Sequence, residues 1–280
     1  MPVINTNVNA LFSQNALKVN SRNLTSAMEQ LSTGSRINSA KDDAAGLAIG
    51  NIMTSNIRGL SQAVRNANDG INMAQTAEGA MIEQTNMLQR MRELAVQSST
   101  ATYSSTQQGY LDTEFQALST QINNIATQTT WNGDGILEAK KGNNSDGKYS
   151  IIVGSDNGAM GLASITVTID DVTSATLGIA TAAISDSTKA TAAISTIDTA
   201  LGKINTARSK LGASINQLTY ASDNLTNVVQ NTTASRSQIL DTDYATATTK
   251  LASSQIIAQA ATAMLAQANQ SQQSVLALLK

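Results

Sequence analysis

Apolar residues at alternating three- and four-residue steps run through most of this 280-residue chain, and that spacing limits the fold more than any other feature. From Ile57 the steps pass through Leu60, Val64, Ala67, Ile71 and Ala74, then Met81 and Leu88. A second run reads Leu111, Phe115, Leu118, Ile122 and Ile125. The longest is Ile197, Leu201, Ile204, Leu211, Ile215, Leu218, Leu225, Val229 and Ile239, with Arg208, Ser222, Thr232 and Arg236 in the skipped places. Sustained spacing of this kind gives each helix one apolar stripe that must be covered by another helix. The first long helix is expected from about Ala44 to Gln97, roughly 80 Å at about 1.5 Å per residue.

Both ends repeat the pattern. Val3, Ala10, Leu17, Leu24 and Leu31 lie seven apart, as do Leu251, Ala258 and Leu265, with Leu279 two repeats further on. Ala261, Ala268 and Val275 form the companion seam. Two terminal helices, far apart in sequence, are therefore expected to pair. The fold class is mainly α: a long antiparallel helical rod with coiled-coil termini and a small β-hairpin near the sequence middle. Residues 1–40 and 243–280 read as a terminal coiled-coil layer, 41–135 and 185–242 as the helical rod, and 136–184 as hairpin and connector at its tip.

The breaks fit this nesting. "STGSRINSAKDD" interrupts the first run at Gly34, and Ser39 with Asp42 forms a capping-box-like restart with acids in the first turn. "QILDTDYA" offers Asp241 or Asp243 as the matching cap near the other end. "WNGDG" and "KKGNNSDGK" are turn-rich. "YSIIVG" and "ASITVTID", where Ile165, Val167 and Ile169 alternate, read as a hairpin joined by "SDNGAMG". The hexapeptide "ATAAIS" occurs twice, at Ala180–Ser185 and Ala190–Ser195, and reads as low-complexity connector.

Composition narrows the function. With no His and no Cys, imidazole acid–base chemistry, thiol catalysis, disulfides and thiolate or imidazole metal sites are excluded. A net charge of -2 gives no electrostatic case for nucleic acid or an anionic membrane. No run reaches the length of a membrane span, and the first residues lack the pattern of a secretory signal. "GNNSDGKY" approaches a phosphate-binding loop, but Tyr149 replaces the metal-ligating hydroxyl and a strand follows where a helix is needed. Asp170-Asp171 and Lys41-Asp42-Asp43 read as solvated turns and helix starts. No catalytic, cofactor or metal site is expected.

Two stretches point to surfaces. In "QRMRELAVQ", taking Leu88 and Ala95 as core-facing sets Arg90 and Leu94 on the opposite side of the helix. Leu94 is then an outward apolar residue, either a lone surface leucine or part of a surface for another molecule. In "QQSVLALLK", Val275, Leu276, Leu278 and Leu279 spread around the helix, so one partner helix leaves some uncovered. The Ala-rich ends are expected to be disordered in the monomer and ordered by neighbours.

The same motifs resemble bacterial flagellin. "VINTN", "LSTGSRINSAKDDAAGLAI", "LQRMRELAVQ", "WNG" and "SQIIAQAATAMLAQANQSQQSVLALL" match in order, over roughly the first 135 and last 95 residues. The resemblance implies a secreted, extracellular structural subunit that self-assembles into the flagellar filament for motility after export through the flagellar secretion channel. A hook–filament junction or adapter protein is the alternative. Implied partners are other copies of the chain, an export chaperone, cap and junction proteins, and the flagellin-sensing Toll-like receptor. Arg90, Leu94 and Glu114 match the family's receptor surface, which also packs between subunits. Leu17, Leu24, Leu31, Leu265, Val275, Leu276, Leu278 and Leu279 are the implied polymerisation ends. Only about 50 residues separate the helical halves, so the outer variable domains of larger members are missing.

Overall fold

The computed structural model describes residues 6–138, 146–154 and 163–277, with side chains described as far as Ser271. Val3, Val275, Leu276, Leu278, Leu279 and the "SDNGAMG" loop therefore lie outside the side-chain description. The chain divides into two compact units, residues 1–57 with 230–280, and residues 58–229.

In the first unit, α1 (Val8–Thr33) pairs with α6 (Tyr244–Ala277). Asn7 caps α1, its side-chain oxygen accepting from the Ala10 N–H at 2.9 Å. Gly34 ends it at φ 72°, a left-handed conformation that costs glycine no steric penalty. The first part of α2 (Ala44–Ser99) and the last part of α5 (Ser187–Leu240) belong to this unit. They approach closely at Gly50, where an added Cβ would lie 2.8 Å from a Leu240 methyl. Arg236 Nη1 also reaches Thr54 Oγ1 at 3.5 Å. Those contacts carry the unit boundary past the helix breaks at residues 34–43 and 241–243, into the two long helices.

The restart of α2 differs from the expected box. Asp42 Oδ2 accepts from the N–H and hydroxyl of Ser39 at 3.0 and 2.9 Å, closing a turn ahead of the helix. Asp43 is the cap, accepting from the Gly46 N–H at 2.9 Å. Of the two candidates before α6, Asp243 serves, accepting from Ala245 and Thr246 N–H groups at 2.9 and 3.4 Å.

In the second unit α2 and α5 are joined by α3 (Ser105–Gln128), started by a capping box between Ser104 and Gln107. Strands β1 (Thr130–Trp131) and β2 (Asp134–Gly135) form a minimal hairpin. Its two-residue turn has Asn132 and Gly133 at φ 51° and 89°, the Asn-Gly chemistry such turns favour. Strands β3 (Lys148–Ile152) and β4 (Ser164–Thr168) pair antiparallel, with Tyr149 opposite Val167 and Ile151 opposite Ile165. A single turn, α4 (Ser174–Leu177), precedes α5.

One core fills this unit. Met81, Leu88 and Met91 from α2, Phe115 and Ile122 from α3, and Ile197, Ile204, Leu211 and Leu218 from α5 are all buried in it. On α5 the small residues Ala200, Ala207 and Ser214 are buried where Leu201 and Ile215 are only half-buried. Small side chains let neighbouring backbones come close, so the tightest line follows them and not the larger flanking residues.

Candidate assembly and recognition surfaces

Helix α1 carries two apolar lines. Ala10, Leu17, Leu24 and Leu31 turn toward α6, where Leu251, Ala258, Ala261, Leu265 and Ala268 form the answering seam; these residues are buried or half-buried. The leucines read from sequence as polymerisation ends thus sit on the intramolecular seam of the pair, as far as they lie within the description. Other residues take the open position. Phe12 is 78% exposed, and Val8, Leu11, Val19 and Met28 are also exposed. Val8, Phe12 and Val19 fall within about 40° of one another around the helix and opposite the Ala10–Leu17 line. On α6, Ile256 at 67% and Met264 at 62% are open, with Ile257 beside them. Such a collection of large apolar groups, on helices whose other side is already occupied, is an uncovered surface and not scattered leucines. The 4-and-7 spacing of Val8, Phe12 and Val19 was the sequence feature that could have found it, once the heptad seam is set aside.

The second candidate lies on α2 and α3. Arg90 Nε and Nη2 donate to one oxygen of Glu114 at 3.0 and 2.9 Å, and Nη1 donates to Glu93 at 3.1 Å. Glu114 first, then Glu93, hold the guanidinium above its ordinary value. This charged cluster is exposed, so its contribution to stability is screened.

Leu94 does not join it. The side chain is 1% exposed and sits in the core with Met91 and Ala95, which corrects the outward placement read from the sequence. That placement assumed one seam on α2, defined by Leu88 and Ala95. Here α2 is covered more broadly, so Met87, Met91, Leu94 and Ser98 extend the contact beyond a two-line seam. A helix packed on more than one side needs a wider apolar arc than a coiled-coil stripe supplies.

Polar groups fasten this covered part of α2. Gln84, fully buried, donates to the carbonyls of Ile122 and Val172 at 3.2 and 3.3 Å. Arg92 meets Asp198 of α5 at 2.7 Å. The near-match to a phosphate loop is described only from Asp146 onward, where Lys148 begins β3. Among the described residues there is no cluster of metal-ligating side chains, and no helix is long and apolar enough to cross a membrane.

Comparison with known proteins gives a consistent result. Residues 4–142 match the bacterial flagellin N-terminal helical region, and residues 194–279 match the C-terminal helical region. The chain is similar to a flagellin of Halalkalibacterium halodurans, 41% identical over 278 residues, covering 99% of this chain and 100% of that one. It is similar to flagellin B of Vibrio cholerae, 35% identical over 376 residues, with 99% of each chain covered. Among solved structures, that of Bacillus cereus flagellin superposes with a TM-score of 0.50 at 30% identity, covering 57% of this chain and 88% of that one.

Proposed function

The chain belongs to the bacterial flagellin family, and from that premise we propose which of its surfaces assembly uses. It is a structural subunit that self-assembles into the flagellar filament for motility, in a short form whose length fits the lack of a variable domain. The junction-adapter reading is not favoured.

The surface covered on assembly is the outward line of the terminal pair: Val8, Leu11, Phe12 and Val19 on α1, and Ile256, Ile257 and Met264 on α6. The observation that carries this is Phe12, 78% exposed on a helix whose opposite face is engaged. Fully burying one such side chain is worth about 1.5–3 kcal/mol, a gain the free subunit lacks and a neighbouring copy supplies. The terminal residues Val275, Leu276, Leu278 and Leu279 belong to the same assembly region. Family membership supports export through the flagellar secretion channel, with a chaperone shielding the ends beforehand. The Arg90–Glu114 cluster is a contact between subunits, and the Toll-like receptor that senses flagellin reads the same charges. Leu94 contributes by supporting the helix from inside.

Phe12→Ser tests the central point. The monomer should melt as the wild type does, while the sedimentable polymer falls severely. Filaments formed at normal yield from the Phe12→Ser chain would overturn the assignment.

A further inference from the structure

The α1–α6 seam repeats every seven residues and is low in relief, with Ala258, Ala261 and Ala268 among its members. A shift of seven would again set apolar residues on apolar residues, so side-chain burial chooses weakly among registers. Polar bonds cross the pair at several points along its length. Asn7 Nδ2 donates to the Ala268 carbonyl at 3.1 Å, and Asn20 Nδ2 to the Ser254 carbonyl at 2.7 Å. Tyr244 Oη donates to the Leu31 carbonyl at 3.2 Å, and the Thr242 N–H to the Gly34 carbonyl at 2.9 Å. Each advance along α1 is matched by an equal retreat along α6 to within one residue.

Asn20 stands out because it occupies a seam position, between Leu17 and Leu24, and is 5% exposed. A leucine there would bury more apolar surface. At the far end of the ladder, Ser35 bridges Asp241. Arg36 donates its N–H to the Leu240 carbonyl at 2.6 Å and Nη2 to the Ile239 carbonyl at 2.7 Å. Those are end carbonyls of α5, which have no partner within their own helix, so Arg36 caps α5 from the opposite break and anchors both breaks at one point.

We propose that Asn20 and Arg36 set the register of the terminal helix pair, choosing one antiparallel alignment from several that the seven-residue repeat would allow. A single buried asparagine is known to select alignment in coiled coils at some cost in stability. Here its amide reaches a main-chain carbonyl, and the bonded breaks fix where the count along each helix begins. Between the Asn7 and Asn20 bonds, Leu17 falls opposite Ala258; a slip of one heptad would bring Leu265 to that place.

The chain contains no cysteine, so introduced pairs read the register without background. Leu17→Cys with Ala258→Cys reports the observed alignment, and Leu17→Cys with Leu265→Cys the slipped one. The full-length chain is oxidised as assembled polymer, copolymerised with an excess of the unsubstituted, cysteine-free chain where a variant does not polymerise alone, and only bridges within one chain are counted. With Asn20 and Arg36 present, the first pair should close about tenfold more than the second, the ratio associated with one well-made buried hydrogen bond. In a chain carrying both Asn20→Leu and Arg36→Ala the two yields should come within about threefold, with each single substitution in between. An unchanged ratio in the double variant overturns the proposal. Loss of both bridges also overturns it, because the bonds would then hold the helices together without selecting their alignment.

Discussion

The two units use the same heptad grammar with different vocabularies. In residues 58–229, Met81, Leu88, Phe115, Ile122, Ile204 and Leu218 are sealed in a core supplied by three long helices, the β3–β4 hairpin and the segment after it. In the terminal pair, the buried apolar residues on α1 are Ala10 and Ala27, with Leu17 and Leu24 between them only half-buried. Two helices can cover one line on each other, whereas a bundle covers most of each helix. The larger unit therefore closes its apolar residues among its own elements, and the pair is left with exposed apolar surface, the surface proposed above to meet further copies of the chain.

The hardest test of this contrast is in the bundle. Phe115→Ala should lower unfolding free energy by about 3–5 kcal/mol and Leu94→Ala by about 2–5 kcal/mol in denaturant titration of the monomer. A Leu94→Ala loss well below that range would return Leu94 to the surface and reinstate a single-seam α2. The matching substitution in the pair, Leu24→Ala, should cost the monomer about 1 kcal/mol or less while reducing the polymer fraction on sedimentation. In the same monomer, hydrogen exchange should be fast before about Ser39 and after about Asp241, and slow through Met81–Leu88 and Ile204–Leu218. Uniform protection of both units would remove the distinction. The smallest effect concerns the start of α6. The Thr246 hydroxyl, then the N–H groups of Thr246 and Ala245, hold the Asp243 carboxyl below its ordinary value of 3.8. Its capping contribution is therefore complete above pH 3.8 and is lost as the pH falls through the lower folded value. In assembled polymer, the Ala245 and Thr246 amides should lose protection relative to their intrinsic exchange rates as the pH falls below 3.8 in the wild type, and already lack it at neutral pH in Asp243→Ala. Protection that does not change with acid in the wild type would exclude the carboxylate as the cap.

Much of this was legible in the residues. Ala44 to Gln97 was expected as one helix, and α2 spans Ala44–Ser99, because an uninterrupted 3–4 spacing without proline leaves little else for the chain to do. The β3–β4 hairpin followed from the alternation of Ile165, Val167 and Ile169. Arg90 and Glu114, brought together by the family resemblance and not by spacing, lie 2.9 Å apart. What failed was the inside–outside assignment of Leu94, and what was missed was the Phe12 line. Both depend on how many neighbours a helix has, which periodicity along one helix does not encode.

The repeated hexapeptide separates the two kinds of information most sharply. At Ala190–Ser195, "ATAAIS" lies within α5, with Ala190 and Ala193 on the buried face. At Ala180–Ser185 the same six residues form no helix. Local sequence sets part of this difference: Gly178, at φ 84°, stops α4 just before the first copy, and Asp186 caps α5 just after it by accepting from the Lys189 N–H at 2.8 Å. Tertiary structure decides the rest. Asp112 accepts from the Ile184 N–H at 2.7 Å, Gln116 donates to the Ala182 carbonyl at 2.8 Å, and Ser98 donates to the Ile184 carbonyl at 2.5 Å. Side chains from α2 and α3 thus satisfy backbone groups that a helix would have satisfied internally, and Ile184 is fully buried. The sequence by itself determined where helices stop, start and carry apolar stripes, since those depend on neighbours along the chain. Which stripe is closed within the subunit, and which stays exposed, was decided by the packing, since burial depends on what surrounds a residue in space.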